Sequence, residues 1–158
     1  MNGIEQRPNA LPWPPVIYIA AIAGALVLQW LWPLPWLPRT LAEFLFAVGW
    51  VVIAGALAID IAAMRTLSRS KTTVMPNKAA DHLVTNGPFS FTRNPIYLGN
   101  TMLMIGIGLV SGIAWLIALA PAAAFATQKL AIEREERHLE ARFGKKFRDY
   151  ARKVRRWI

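Results

Sequence analysis

The chain contains no cysteine. That excludes a disulfide framework, a thiolate nucleophile and any cysteine metal site. Histidine is nearly absent as well. His82 and His138 are the two in 158 residues, too little material for a metal centre, and none is expected. Acidic residues number 9 against 18 basic ones, for a formal net charge of +9. No dinucleotide-type glycine fingerprint occurs. A secretory signal is not expected, because Met1 to Pro15 lacks a basic n-region and no small-residue cleavage site follows the first apolar run.

What the chain does have is apolar length. It is 55% hydrophobic, and its mean hydropathy is positive. Combined with the basic balance, this fits a membrane protein with basic cytoplasmic parts. The length suits a single membrane domain over residues 1–158. Residues 1–64 carry two generic spans, and 65–158 form the half that bears chemistry. Val16 to Trp32 has no charge, and at about 1.5 Å per residue it nearly crosses a core of about 30 Å. Prolines 33, 35 and 38 end it. Arg39 and Glu43, at i and i+4, are placed to pair. Thr40 to Met64 is the second span, with Gly49 and Gly55 allowing close helix contact. Asp60 lies near its end, one turn from Arg65, and is expected at the interface. A basic loop follows from Arg65. Asn94 to Val110 and Ile113 to Lys129 form a short hairpin of two further spans around a Ser111-Gly112 turn, with Pro121 predicting a kink. Several of the seven tryptophans (Trp13, Trp30, Trp32, Trp36) flank apolar segment ends, as interfacial aromatics do.

The expected fold is therefore an all-α integral membrane protein of about four transmembrane helices and a basic amphipathic C-terminal helix. Basic residues crowd Arg7, the 65–93 loop and everything after Lys129, while the opposite connections hold only Arg39. The positive-inside rule then predicts a multi-pass protein with both termini cytoplasmic. After Leu130 the apolar residues Leu139, Phe143, Phe147, Tyr150, Val154 and Trp157 recur at spacings of three and four, amid eight cations. Such a helix is expected on an anionic lipid surface, with Gly144 breaking or bending it. Nucleic acid is not an expected partner, since no recognition module accompanies the basic run. Oligomeric state is not legible.

Two places could carry chemistry. Asp81 to Tyr97 is the long polar connection between apolar blocks. Asn86-Gly87-Pro88 signals a turn. Pro95 suits a first helical turn and Asn94 can cap it. The free N–H groups at that helix start, with Arg93 beside them, would receive a ligand carboxylate. Tyr97 lies one turn in, and Phe89 and Phe91 offer apolar walls. The same residues equally fit a plain cap, a snorkelling Arg and an interface aromatic. The second place is Glu133-Arg134-Glu135-Glu136, whose acids could accept from a ligand's amino or ribose groups. They could as well be helix pairs, Glu133 with Arg137, with Glu136 and Glu140 a like-charge pair needing a cation nearby.

L-V-T-N-G-P-F-S-F-T-R-N-P-I-Y-L-G, an apolar hairpin, and E-R-E-E-R-H-L-E-A-R-F-G-K-K-F-R-D-Y-A-R-K-V-R-R-W-I together resemble the isoprenylcysteine carboxyl methyltransferase and phospholipid methyltransferase superfamily, over Thr73 to Ile158. The resemblance implies an integral membrane methyltransferase that uses S-adenosyl-L-methionine and acts on a membrane lipid or lipophilic small molecule through a carboxylate, thiol or amine. It assigns cofactor binding to Asp81, His82, Leu83, Val84, Phe89, Asn94, Pro95, Ile96, Tyr97 and Glu135. Arg93 and Glu136 are positioning candidates. Asn94 replaces the family's His. Ala131 falls where the prenylcysteine enzymes carry a substrate Arg, which argues against a prenylcysteine substrate and leaves Lys129 and Arg134 as substrate-binding candidates. The rival readings are a membrane reductase using a nicotinamide and a non-catalytic membrane scaffold.

Overall fold

A computed structural model describes residues 13–70 and 82–158. Those residues form helices and turns, with no strand among them. Helix α1 spans Trp13–Leu31, α2 Arg39–Arg69, α3 Pro95–Ser111 and α4 Ala114–Thr127. A π turn over Gln128–Ile132 carries α4 without a break into α5, Glu133–Phe143; α6 is Lys145–Lys153. A short 3₁₀ turn, Gly87–Ser90, precedes α3. Three helices are long and apolar enough to cross a membrane: Pro14–Leu31, Arg39–Arg69 and the continuous Ala114–Phe143. The 17-residue α3 is about 26 Å long, a short fourth crossing.

Two boundaries differ from expectation. Helix α2 continues past Met64 to Arg69, through what reads as the start of a loop. Arg65 to Arg69 holds no proline or glycine, and Arg and Leu are good helix formers. The last helix does not end at Lys129: the π turn inserts a residue instead of breaking it, and the helix runs on past its apolar stretch as the charged α5. The hairpin turn is as expected: Gly112 sits at φ 70, and a Cβ there would press on the Trp36 ring.

Packing is arranged for lipid. Large side chains face outward: Trp30 is 82% exposed, Val51 72% and Phe44 62%. Small ones are inside, with Ala25, Ala56, Ala63 and Ala120 fully buried. Helices gain little from apolar burial against lipid tails, so close backbone contact must hold them. Helices α2 and α3 meet through Gly49 and Gly106, while Tyr18, Met104, Leu116 and Ala123 fill the core between α1, α3 and α4. Asp60, expected one turn from Arg65, is half-buried and faces α3. Its carboxylate packs on Gly99 of α3, where a Cβ would collide with it, and Oδ1 is buried with no partner. The exposed Arg39–Glu43 pair forms, at 2.9 Å.

The glycines predict a contrast. A Cβ on Gly106 would lie 2.7 Å from Ile53 Cγ1 and 3.1 Å from the Gly49 carbonyl, whereas one on Gly55 meets only Met102 Cε at 3.6 Å. Gly106→Ala should destabilise the detergent-purified protein by about 1–3 kcal/mol. Gly55→Ala should be neutral or slightly stabilising, since it removes a glycine from a helix interior. Thermal melts of both variants check this; equal behaviour would refute the α2–α3 contact.

Candidate functional site

The site is built where α3 begins. Residues 88–94 run from a short 3₁₀ turn into α3 and must satisfy their backbone groups largely without a regular partner. They do so against the end of the chain. Past α6 the backbone turns extended at Val154 and runs beside this loop. Arg93 N–H donates to the Arg155 carbonyl at 3.0 Å. Asn94 Nδ2 donates to the Arg156 carbonyl at 2.9 Å, and Thr92 Oγ1 to the same oxygen at 3.3 Å. Tyr150 hydroxyl donates to the Phe89 carbonyl at 2.7 Å, and Trp157 Nε1 to Gln128 Oε1 at 2.9 Å.

One carboxylate ties this together. Glu136 accepts from Arg93 Nη2 at 2.7 Å, from Arg156 Nε at 3.1 Å and from Arg156 Nη2 at 2.6 Å. Arg93 Nη1 also donates to the Ala151 and Val154 carbonyls, both at 2.9 Å. Burial alone would raise the Glu136 carboxyl, but hydrogen bonds and charge from Arg156 and Arg93 outweigh it and hold the group below its ordinary value. A groove of about 470 Å³ runs beside this network between α5 and α6, with Arg137, Glu140, Arg148 and Arg152 among its lining residues.

Glu135 is next in sequence but lies in another environment. It accepts from the Tyr97 hydroxyl at 2.7 Å, and it does not line the groove. Burial pushes its carboxyl up to about 7, opposed by the Tyr97 hydrogen bond and reinforced by the Glu136 charge. Tyr97 is fixed in turn. Its carbonyl accepts from Tyr18 hydroxyl at 3.2 Å and from Thr101 Oγ1 at 2.9 Å. Thus α1, α3 and α5 converge on the Tyr97–Glu135 pair.

The other sequence-assigned residues are placed as follows. Asp81 lies outside the described residues. His82 is exposed; Leu83, Val84, Phe89 and Ile96 are half-buried; Pro95 is buried at the first position of α3. Asn94 is a correction, since its side chain does not cap α3 and is spent on the C-terminal carbonyl. Glu133 pairs with Lys129 at 2.7 Å, not with Arg137. Lys129 is therefore engaged, and it also lies over the Phe125 ring. Arg134 is half-buried. Ala131 is fully buried, so the packing there has no space for a longer side chain. The C-terminal apolar stripe is real and broken at Gly144 (φ 52), but it faces the protein: Phe147 is 5% and Val154 9% exposed. Sequence reasoning missed Arg156, Tyr150, Tyr18 and the Gln128–Trp157 bond. Only an acid lacking enough cations nearby, Glu136 beside Glu140, hinted at Arg156.

The clamp generates a prediction. The Arg93 and Glu136 side chains are 13% and 16% exposed and Arg156 is 32% exposed. Glu136→Gln should cost about 2–3 kcal/mol, less than a fully buried pair because Arg156 keeps some water. It should also free the tail to trypsin at Arg155 and Arg156. A carboxyl held low in the fold contributes stability above its unfolded pKa and loses it as pH falls through the folded one. The melting temperature of the wild type should therefore fall on acidification below the ordinary glutamate range, and that of Glu136→Gln should fall less. Parallel acid profiles would dismiss the clamp.

The phospholipid methyltransferase family model matches residues 44–146, which include α3, the π turn and both acids. The chain is 38% identical over 77 residues to the nickel-cobalt-cadmium resistance protein NccN of Alcaligenes xylosoxydans xylosoxydans, a match of 49% of this chain and 36% of that relative. The chain thus spans about a third of that relative's length. The first helix lies outside the family match and the Tyr97–Glu135 pair within it: this chain belongs to the phospholipid methyltransferase family, in the isoprenylcysteine carboxyl methyltransferase-like superfamily of membrane methyltransferases.

Proposed function

We propose that the protein transfers a methyl group from S-adenosyl-L-methionine to a lipophilic acceptor that enters from the membrane. The observation that carries this reading is the Tyr97–Glu135 hydrogen bond at the mouth of α3. The residues present suit such a ligand. Asn94 leaves the start of α3 without a side-chain cap, so the N–H groups there remain available to a carboxylate. Glu135, anchored by one oxygen to Tyr97, has acceptor capacity left for an amino or hydroxyl group. When bound, the cofactor supplies a methyl group on a sulfonium, and transfer is an in-line displacement governed mainly by positioning. The protein's part is to hold the two reactants in a dry, preorganised site.

Arg93 and Glu136 act in this reading through the fold. Glu136 faces two guanidiniums and is a poor proton acceptor, so its service is to seat the C-terminal tail against residues 88–94. Helix α6 and the segment after it carry the exposed Lys145, Lys146, Arg148, Arg152, Lys153 and Arg155. They favour an anionic lipid surface and a cytoplasmic location for both termini. With the apolar stripe used internally, that attraction is electrostatic and falls with salt.

Calorimetric titration with S-adenosylhomocysteine should give saturable binding near one per chain. Glu135→Ala should abolish it and Tyr97→Phe weaken it about tenfold, with folding intact. The raised Glu135 carboxyl adds a pH signature. Ionisation is needed for it to accept a ligand's donors, so affinity should rise between about pH 6 and 8, and Glu135→Gln should remove that slope. Tritium transfer from labelled cofactor into a lipid extract then reports turnover. A folded protein, in detergent and in nanodiscs, that binds no S-adenosylhomocysteine would end this reading.

A further inference from the structure

Four buried side-chain atoms among the described residues lack a hydrogen-bond partner: Gln29 Oε1, Asp60 Oδ1, Thr127 Oγ1 and His138 Nε2. The first three belong to the membrane-crossing helices α1, α2 and α4. The fourth is different. His138 lies on α5, beyond the apolar stretch. A buried polar group left unpaired is costly to the fold. Such a group in a native structure calls for an explanation, and a molecule bound beside it is one.

Its place on the helix says what that partner is. His138 follows Glu135 by three residues, and i, i+3 neighbours on a helix have Cβ atoms about 5–6 Å apart. The unpartnered nitrogen therefore stands one turn from the carboxylate that Tyr97 holds. Residue 136 projects from the opposite flank of Glu135 and meets Arg93 and Arg156. The ion-pair network thus takes one side of α5. On the other side, Glu135 and His138 share a face on which the imidazole has no protein partner.

We propose that His138 Nε2 hydrogen-bonds the molecule bound at Tyr97 and Glu135, so that Glu135 and His138 grip one S-adenosyl ligand from consecutive turns of α5. This rests on the cofactor reading above. A neutral imidazole nitrogen is either donor or acceptor according to its tautomer. It therefore complements the hydroxyl or amino groups that such a ligand carries. His138 is a binding and positioning residue here, and no proton transfer is assigned to it.

The test uses the scarcity of histidine. Wild-type protein labelled with ¹⁵N only in its two imidazoles is titrated with S-adenosylhomocysteine in detergent, with His138→Gln to assign the resonances and calorimetry in parallel. A His138 ring nitrogen should move from a non-bonded to a hydrogen-bonded shift, saturating with the calorimetric curve. His138→Phe should weaken binding about tenfold without lowering the melting temperature, because the ring nitrogen has no partner in the protein to lose. Normal heats with an unmoved His138 resonance, or wild-type affinity in His138→Phe, would overturn the inference and leave the cofactor reading standing. Absence of any heat in the wild type would remove both.

Discussion

Two guanidiniums on one carboxylate hold the working end of this molecule together. Arg93 comes from the loop before α3, Glu136 from α5 and Arg156 from the end of the chain. Three segments distant in sequence are thereby fixed against one another by charge-assisted bonds, which are shorter and stronger than neutral ones. The arrangement is stable only as a set. Removing the acid leaves two partly buried cations facing each other, and removing one cation leaves the other to neutralise the acid alone. Because Arg93 stands two residues before the first turn of α3, the same network helps set where Tyr97 stands.

Adjacent acids divide the labour. Consecutive residues on a helix point in directions well apart, so Glu135 and Glu136 face different surroundings although they share a backbone. Two cations pull one carboxyl down. Burial without a cation pushes the other up to about 7. Pairs of titratable groups whose environments drive them apart commonly mark different roles. Here the low one belongs to architecture and the high one to the candidate binding face. The π turn matters to this division. It inserts a residue just before the acids and so determines which of them meets Tyr97 and which meets Arg93.

Much of this was legible in the sequence, and the rest was hidden for definite reasons. Apolar runs bounded by prolines and charges located the crossings, because a lipid-facing helix cannot hide its composition. Gly112 and Gly144 announced their turns, because few other residues adopt positive φ cheaply. Tyr97 and Glu135 were identified through family resemblance; spacing alone left their roles open. Arg156 was not legible. It is one of many cations in a basic tail, and only tertiary contact distinguishes it from Arg155 beside it. The inward turn of Phe147 and Val154 was likewise invisible. An amphipathic pattern reports that a face is apolar, never what covers it. Helix α2 outruns its apolar stretch because Arg, which ends a hydrophobic run, is also a good helix former.

The buried Ala131 bears on the acceptor. A guanidinium one turn before the acids would give a carboxylate acceptor a fixed, bidentate anchor. At that position this chain has a methyl group with no solvent exposure, inside a π turn that already packs Ile132 against the core. Lys129 cannot take the role without cost. It is exposed, paired with Glu133 and set over Phe125, so recruiting it would break an existing ion pair. With the α3 N–H groups assigned to the cofactor's own carboxylate, an acceptor carboxylate would be set against Glu135, an electrostatically poor match. An acceptor bearing hydrogen-bond donors meets no such penalty. Under the methyl-transfer reading, charge complementarity around Glu135 therefore weighs against prenylcysteine-like carboxylates and in favour of donor-bearing head groups.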